Sequence, residues 1–268
     1  MFAQINHMAM ASTIYPFVGR FYEAVFGLKC SVHRPYHGVV YSDGYAGLNV
    51  NPRRDGTNGG IDHFGFVVDD VDQVLVRLEK KWPGAGIVKR PSTRPFAAYS
   101  GHDPDGNIFD LAQKKDDTRS NMYAQSAAES WNQERYLNKF AIRTLNVDKV
   151  ADFYMDVFEL QPTNKESELP AQHLTDGRVC LSLMPWSIDL FEGMSIKRQG
   201  PDHIGFKVES IAAVKAEVKK AQDWNQYLAP VQLGGSKEAD ARKALLARAA
   251  TGGYQLADPD GNWVDIEE

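Results

Sequence analysis

Cysteine, basic charge and long apolar runs are all scarce in this sequence of 268 residues. The two cysteines, Cys30 and Cys180, are too few for a disulfide framework and suit a reducing compartment. A formal net charge of -5 provides no basic field that would attract nucleic acid or an anionic membrane. No apolar run approaches the roughly 18 residues that a transmembrane helix requires. These absences argue against a nucleic-acid-binding protein, a disulfide-rich secreted protein and a membrane-spanning protein.

The N-terminal segment also lacks a basic stretch followed by a sustained apolar core, so no signal peptide is predicted. The composition, 43% hydrophobic and 24% charged, is typical of a well-packed globular protein. The length suffices for one large domain or two ordinary ones. We therefore predict a cytoplasmic protein.

What the sequence does contain is a duplication. Residues 21–28 resemble residues 153–160, and residues 61–66 resemble residues 201–206. The phrase Asp-Pro-Asp-Gly-Asn occurs at 103–107 and again at 258–262. The two copies of this phrase are 155 residues apart, whereas residues 61 and 201 are only 140 apart. The spacing grows because residues 236–250, which are rich in strong helix formers, have no counterpart in the first half. We predict that this segment is an inserted surface helix.

Each half of the duplication divides again into two similar units. Strand-like segments that contain His7 and His63 are each followed by apolar residues at three- and four-residue spacing, which is typical of amphipathic helices. Short strand-like runs follow each predicted helix. The polar segment 114–134 is predicted to be a linker. The pattern predicts an α+β protein with four βαβββ units in two domains, residues 1–113 and 135–268.

The order of these motifs, a histidine on the first strand of a unit and Asp-Pro-Asp-Gly-Asn before the last strand, occurs in both halves and resembles the vicinal oxygen chelate superfamily. That superfamily includes glyoxalase I, extradiol dioxygenases, methylmalonyl-CoA epimerase, and fosfomycin- and bleomycin-resistance proteins. The resemblance covers nearly the whole chain outside the linker and the inserted helix. It implies that each pair of units curls into a half-barrel around a divalent metal.

Carried onto this sequence, the resemblance implies metal ligands at His7 on the first strand, His63 on the fifth and Asp110 on the eighth. The superfamily usually has glutamate at the last position, so the aspartate is a departure. Independently, a carboxylate inside an apolar strand is costly unless it is paired or bound to metal. Two imidazoles and one carboxylate suit Fe(II) oxygen chemistry, and Mn(II), Zn(II) and Ni(II) are also compatible. For each histidine alone, a hydrogen-bonded core residue is the alternative.

The second half differs at one of the three positions. His203 and Asp265 stand at the equivalent places, but Lys139 replaces His7. A protonated lysine has no lone pair for a metal, so we predict a metal-free half with a contact between Lys139 and Asp265. A different pairing, of unit one with unit four, would bring His7 to His203 and Asp265 instead. We favour consecutive pairing, and the sequence leaves both open.

Several further residues are candidates for the site. His37 and Tyr41 are candidates for an acid–base group at its mouth, and His102 for a supporting role. For these residues, the alternative is an exposed polar loop. The missing side chain at Gly65 predicts room for a ligand. Four arginines near predicted strand ends are candidates for binding an anionic substrate: Arg53, Arg54, Arg90 and Arg94. The alternative is that they are solvated, as arginines at strand ends usually are.

The fourth strand separates the activities within the superfamily. Glyoxalase I and the epimerase resemble each other in having a further glutamate on this strand. Asn49 stands at the corresponding position here, so the site lacks a second carboxylate ligand. The resemblance therefore implies first an extradiol-dioxygenase-like enzyme that uses O2 and a small catechol-like or vicinal-oxygen substrate. The alternatives are a glyoxalase-like lyase or isomerase, and a metal-free protein that binds or sequesters a small molecule. A homo-oligomer is compatible with each of them.

Overall fold

The structure is a computed structural model, and it describes residues 2–34, 37–90, 97–128, 134–191, 196, 198–249 and 251–268. In these ranges the two halves of the sequence form two β-sheets, each accompanied by helices. The predicted α+β class is confirmed. None of the helices in the described ranges is long and apolar enough to cross a membrane.

The first sheet contains eight strands from the first half of the chain. They are β1 (Ala3–Ser12), β2 (Lys29–Arg34), β3 (Gly38–Ser42), β4 (Gly47–Pro52), β5 (Gly60–Val68), β6 (Ile87–Lys89), β7 (Tyr99–His102) and β8 (Ile108–Gln113). Their order across the sheet is β2-β3-β4-β1-β5-β8-β7-β6. Helix α1 (Tyr15–Phe26) follows β1, and helix α2 (Val71–Lys81) follows β5.

The second sheet contains seven strands from the second half. They are β9 (Tyr136–Thr144), β10 (Gln161–Pro162), β11 (Gln172–Thr175), β12 (Cys180–Pro185), β13 (Gly200–Lys207), β14 (Tyr254–Ala257) and β15 (Trp263–Glu267), in the order β10-β11-β12-β9-β13-β15-β14. Five helices belong to this part of the chain or precede it: α3 (Arg119–Ala128), α4 (Val147–Phe158), α5 (Ile188–Phe191), α6 (Ile211–Trp224) and α7 (Lys237–Ala249). In the described ranges, the fourth unit has one strand fewer than predicted, and α7 lies between α6 and β14.

The units pair consecutively along the chain. Strand β1 of unit one runs antiparallel to β5 of unit two, and β9 of unit three runs antiparallel to β13 of unit four. Each sheet therefore joins two neighbouring units edge to edge. The structure has the consecutive pairing that the sequence favoured, and not the pairing of unit one with unit four.

Two equivalent contacts join the halves: in each, a tyrosine of one half binds an aspartate of the other half. The hydroxyl of Tyr22 on α1 donates to Asp258 in the second Asp-Pro-Asp-Gly turn over 3.0 Å. In the same way, Tyr154 on α4 donates to Asp103 in the first turn over 3.1 Å. Stacked rings accompany each contact, and one hydrophobic core runs through both halves. The stacked pairs are Phe26 with Phe206 and Phe66 with Phe158.

This reciprocity predicts that the halves unfold together. Replacing Tyr22 or Tyr154 with phenylalanine removes a buried hydrogen bond to a carboxyl group, which is worth about 1–3 kcal/mol. We expect each variant to unfold in a single transition, at a midpoint lowered by roughly 2–4 °C for each kcal/mol lost. Calorimetry measures this, with Tyr227→Phe as the control because Tyr227 is largely exposed. Two separable transitions would contradict the shared core.

The predicted linker contains an ordered helix. Helix α3 lies in the segment 114–134, and Asp117 caps it by accepting the backbone N–H groups of Arg119 and Ser120 over 3.0 and 3.2 Å. Both Arg119 and Tyr123 on this helix are buried. The division of the chain into two domains stays a prediction, because the core is continuous and α3 packs on the first half.

Candidate metal centre

Strands β1, β5 and β8 place the three predicted ligands on one face of the first sheet. The register pairs His7 with Gly65, and Gly65 with Asp110. His63 lies two residues before Gly65, so its side chain points to the same face. We refer to the face that carries His7, His63 and Asp110 as the ligand face.

The three side chains approach one another closely. The distance to Oδ2 of Asp110 is 3.8 Å from Nε2 of His7 and 3.5 Å from Nε2 of His63. One ligand atom from each residue lies within 4.8 Å of the others, and no other group in the described ranges meets this criterion. Metal–ligand bonds of about 2.1 Å at tetrahedral or octahedral angles separate donors by roughly 3.0–3.4 Å. These donors therefore fit a divalent metal after small shifts.

Each imidazole is oriented by the residue that precedes it. Nδ1 of His7 lies 2.8 Å from Oδ1 of Asn6, and Nδ1 of His63 lies 2.8 Å from Oδ2 of Asp62. Because these oxygens accept hydrogen bonds, we assign the Nδ1 hydrogen to each ring, and Nε2 then faces Asp110. Such outer hydrogen bonds are typical of histidines that ligate metals.

The electrostatics of the three residues differ because their burial differs. Complete burial lowers the pKa of His7 to about 4, so its ring is neutral at neutral pH. Burial also acts to lower the pKa of His63, but its hydrogen bonds to Asp110 and Asp62 outweigh that effect and raise it to about 9. Burial would raise the pKa of Asp110, and its interactions with the two facing imidazoles, His63 above all, instead hold it well below the usual range. A metal here would take the place of a proton on His63.

Gly65 makes room for a protein side chain and not for a ligand. A Cβ built at this position would lie 2.0 Å from Cε1 of His7, so the imidazole fills the space beside the glycine. The prediction that the missing side chain leaves room for a ligand is therefore wrong. The glycine is needed because β1 and β5 bring the His7 ring directly across from it.

Replacing Gly65 with alanine is expected to disturb the metal centre. The added methyl group would push the His7 ring away from Asp110, at an overpacking cost of about 1–3 kcal/mol. We expect metal affinity to fall at least tenfold, which titration of Mn2+ followed by electron paramagnetic resonance measures. Gly84→Ala is the matched control, because a Cβ there has no atom within 4 Å. Unchanged affinity in Gly65→Ala would contradict the placement of His7 as a ligand.

Two further groups hold the other oxygen of Asp110. The hydroxyl of Ser100 on β7 donates to Oδ1 over 2.7 Å. Nη1 of Arg90 lies 2.9 Å from Oδ1 and 3.1 Å from Oδ2. Ser100 thus fixes the carboxylate with Oδ2 towards the histidines, and Arg90 neutralises its charge.

Helix α3 covers part of the same face. Its Arg119 donates to Oδ1 of Asn49 over 3.0 Å, and the Tyr123 hydroxyl lies where a Cβ of Gly47 would be. Gly47 is the register partner of His7 on β4. The segment predicted as a linker therefore contributes a buried guanidinium and a buried phenol beside the candidate ligands.

The structure does not bring the three predicted catalytic residues to this cluster. Tyr41 is buried on the opposite face of the sheet, where its ring contacts Gly19 of α1, because its register partner is Leu48 and not Asn49. His37 is exposed in the turn before β3. His102 is also exposed, and its ring contacts the carbonyl of Asp103 and the N–H of Gly86. Among the arginines, Arg53 is exposed and donates to the carbonyl of Thr57 over 2.8 Å, Arg54 is exposed, and Arg94 lies outside the described residues.

The equivalent place in the second half is closed by an ion pair. Lys139 contacts Asp265 as predicted, and their side chains are 1% and 0% exposed. Oδ2 of Asp265 also accepts the backbone N–H groups of Thr251 and Gly252 over 3.2 and 3.1 Å. The carboxylate that would ligate a metal in this half is thus already paired and hydrogen-bonded.

No family model matches the chain, and no curated protein matches it. Solved structures do match its fold. The Mn(II)-bound glyoxalase from Novosphingobium aromaticivorans has a TM-score of 0.65 and 13% identity, over 99% of this chain and 81% of that one. The 2,3-dioxygenase LapB from Pseudomonas sp. KL28 has a TM-score of 0.62 and 13% identity, over 98% and 91%. BphC, a halotolerant catechol dioxygenase, has a TM-score of 0.62 and 13% identity, over 99% and 86%. The chain therefore has the vicinal-oxygen-chelate fold.

Proposed function

We propose that the protein is a metal-dependent oxygenase of the extradiol type, acting on a small catechol-like or vicinal-oxygen substrate. The observation that carries the proposal is the convergence of two imidazoles and one carboxylate on the ligand face, with Nε2 of both rings directed at Asp110. Two histidines and one carboxylate leave several coordination positions of a divalent metal open, which suits Fe(II). The likeness in fold to dioxygenases is consistent with this proposal.

The residues around the site have separate roles in this proposal. His7, His63 and Asp110 would hold the metal. Asn6 and Asp62 keep the two rings oriented, and Ser100 keeps Asp110 turned towards them. A bound Fe(II) would supply Lewis acidity and electron transfer to O2. The buried face around His7 limits access of water, and Tyr123 closes the side nearest β4.

A glyoxalase-like lyase or isomerase is the second candidate, because one of the similar structures is a Mn(II)-bound glyoxalase. Against it stands the fourth strand, where Asn49 accepts a hydrogen bond from Arg119. A neutral amide held in this way offers no second carboxylate that would serve as a base. We therefore place the oxygenase first.

The test is a metal analysis followed by an oxygen assay. Protein purified without oxygen is freed of metal with a chelator, loaded separately with Fe(II) or Mn(II), and offered a panel of catechols in an oxygen electrode chamber. We expect one metal ion per chain and oxygen uptake with at least one catechol. Stoichiometric metal with no oxygen uptake would favour the lyase. Failure to bind either metal would overturn both enzymes and leave a metal-free binding protein.

A further inference from the structure

The two equivalent aspartates of the duplication, Asp110 on β8 and Asp265 on β15, are each paired with a cation of this chain, but the two cations differ in their exposure to solvent. Lys139, which pairs with Asp265, has a side chain that is only 1% exposed. Arg90, which pairs with Asp110, has a side chain that is 36% exposed. The Asp110 side chain beneath it is 5% exposed. Arg90 is therefore a partly exposed cation on a buried carboxylate.

This difference in exposure decides which cation can leave its partner. Moving Lys139 away from Asp265 would strand a charge in the protein interior, which costs several kcal/mol. The guanidinium of Arg90 can instead turn into water without being stranded, because its side chain is already 36% exposed, and a metal at Asp110 would replace the positive charge that it removes. Its backbone stays fixed, since the Arg90 N–H donates to the carbonyl of Ala98 over 2.8 Å.

A metal and Arg90 would compete for the same carboxylate oxygen. Oδ2 of Asp110 is the oxygen that faces both imidazoles, and Nη1 of Arg90 lies 3.1 Å from it. A divalent ion bound to that oxygen would repel the guanidinium at close range. Ser100 does not compete, because it is neutral and holds the other oxygen.

We propose that Arg90 is a counter-cation that a divalent metal displaces from Asp110, and that the displaced guanidinium then binds an anionic group of the substrate. This inference rests on the proposed metal centre and narrows its substrate class. The ligand would carry a carboxylate, or a comparable anionic group, in addition to its vicinal oxygens. Arginine suits this task because its planar fork binds a carboxylate through two parallel hydrogen bonds.

The first arm of the test measures metal binding alone. Mn2+ is titrated into metal-free wild type, Arg90→Gln, Arg90→Lys and Ser100→Ala, with His63→Ala as the variant that lacks a ligand. We expect Arg90→Gln to bind Mn2+ about tenfold more tightly than wild type, Arg90→Lys to resemble wild type, and Ser100→Ala to bind about tenfold more weakly. Weaker binding in Arg90→Gln would show that Arg90 orients Asp110 as Ser100 does, and would overturn the inference.

The second arm measures the anion site with benzoate and with benzamide, its neutral analogue. Because coupling between two ligands is reciprocal, benzoate should tighten Mn2+ binding in wild type by the same factor by which Mn2+ tightens benzoate binding. We expect a factor of about five or more, absent with benzamide and lost in Arg90→Gln. Coupling that persists in Arg90→Gln would place benzoate elsewhere and overturn the inference. If neither wild type nor Arg90→Gln binds Mn2+, the proposed function fails as well, whereas Mn2+ binding without these Arg90 effects refutes the inference alone.

Discussion

Protein with His63 replaced by alanine is expected to lose stoichiometric metal binding, whereas protein with His203 replaced by alanine is expected to retain it. His63 contributes one of the three donors that converge on the ligand face. Removing only an outer partner of a metal ligand typically costs 10–100-fold in affinity, so losing the ligand itself should cost more than about 100-fold. His203 has the equivalent position in the second half, but the aspartate there is paired with Lys139.

The two variants are matched because both remove a histidine from the first strand of the second unit of a pair. Each ring also hydrogen-bonds to the aspartate before it over 2.8 Å. Metal per chain is measured by elemental analysis after dialysis against Mn(II) or Fe(II) without oxygen, and circular dichroism checks that both proteins fold. Loss of metal in His203→Ala with retention in His63→Ala would place the metal in the second half. Equal retention of metal in both variants would show that the first half does not hold the metal through His63.

Part of this site could be predicted from the sequence. The resemblance to the superfamily implies His7, His63 and Asp110 as ligands, and the cost of a buried carboxylate supports Asp110 independently. The Lys139–Asp265 contact could be predicted because the duplication shows that Lys139 stands where the first half has His7. The assignment of these residues to a metal stays a prediction that the His63 experiment tests.

The parts that the sequence did not predict depend on tertiary packing. Arg119 and Tyr123 lie in a polar segment whose local pattern indicates a linker, and only the packing of α3 against β2 and β3 brings them beside the site. Tyr41 was misplaced because the register of β3 against β4 decides its face, and a shift by one residue reverses it. The role of Gly65 depended on which side chain lies across from it on β1.

Replacing Lys139 with methionine is expected to cause the largest loss of stability among the substitutions considered. Methionine keeps much of the volume of the side chain but leaves Asp265 buried without its cation. Breaking a buried ion pair by removing one partner costs about 3–5 kcal/mol. At roughly 2–4 °C for each kcal/mol, the unfolding midpoint should fall by about 6–20 °C. Thermal and urea unfolding measure this loss, with Lys219→Met as the control because the ion pair of Lys219 with Asp223 on α6 is exposed.

The pH dependence of this loss identifies its cause. In wild type, burial would raise the pKa of Asp265, but the charges of Lys139 and His203 outweigh that effect and lower it. The pair therefore stabilises the protein above the usual carboxyl pKa of about 4, and this stabilisation is lost as the pH falls from there through the lowered pKa of Asp265. In Lys139→Met the buried carboxyl group takes up a proton more readily, so the deficit relative to wild type should shrink as the pH is lowered.

A second substitution separates the unpaired charge from a simple packing defect. In Lys139→Met/Asp265→Asn, the neutral amide oxygen can still accept the N–H groups of Thr251 and Gly252. We expect the double variant to recover at least half of the stability lost in Lys139→Met. A deficit that is the same at all pH values and is not recovered by Asp265→Asn would show that Lys139 acts through packing alone. Recovery in the double variant would show that this half can lose both charges together and remain folded, so that the cost in Lys139→Met comes from the unpaired carboxylate.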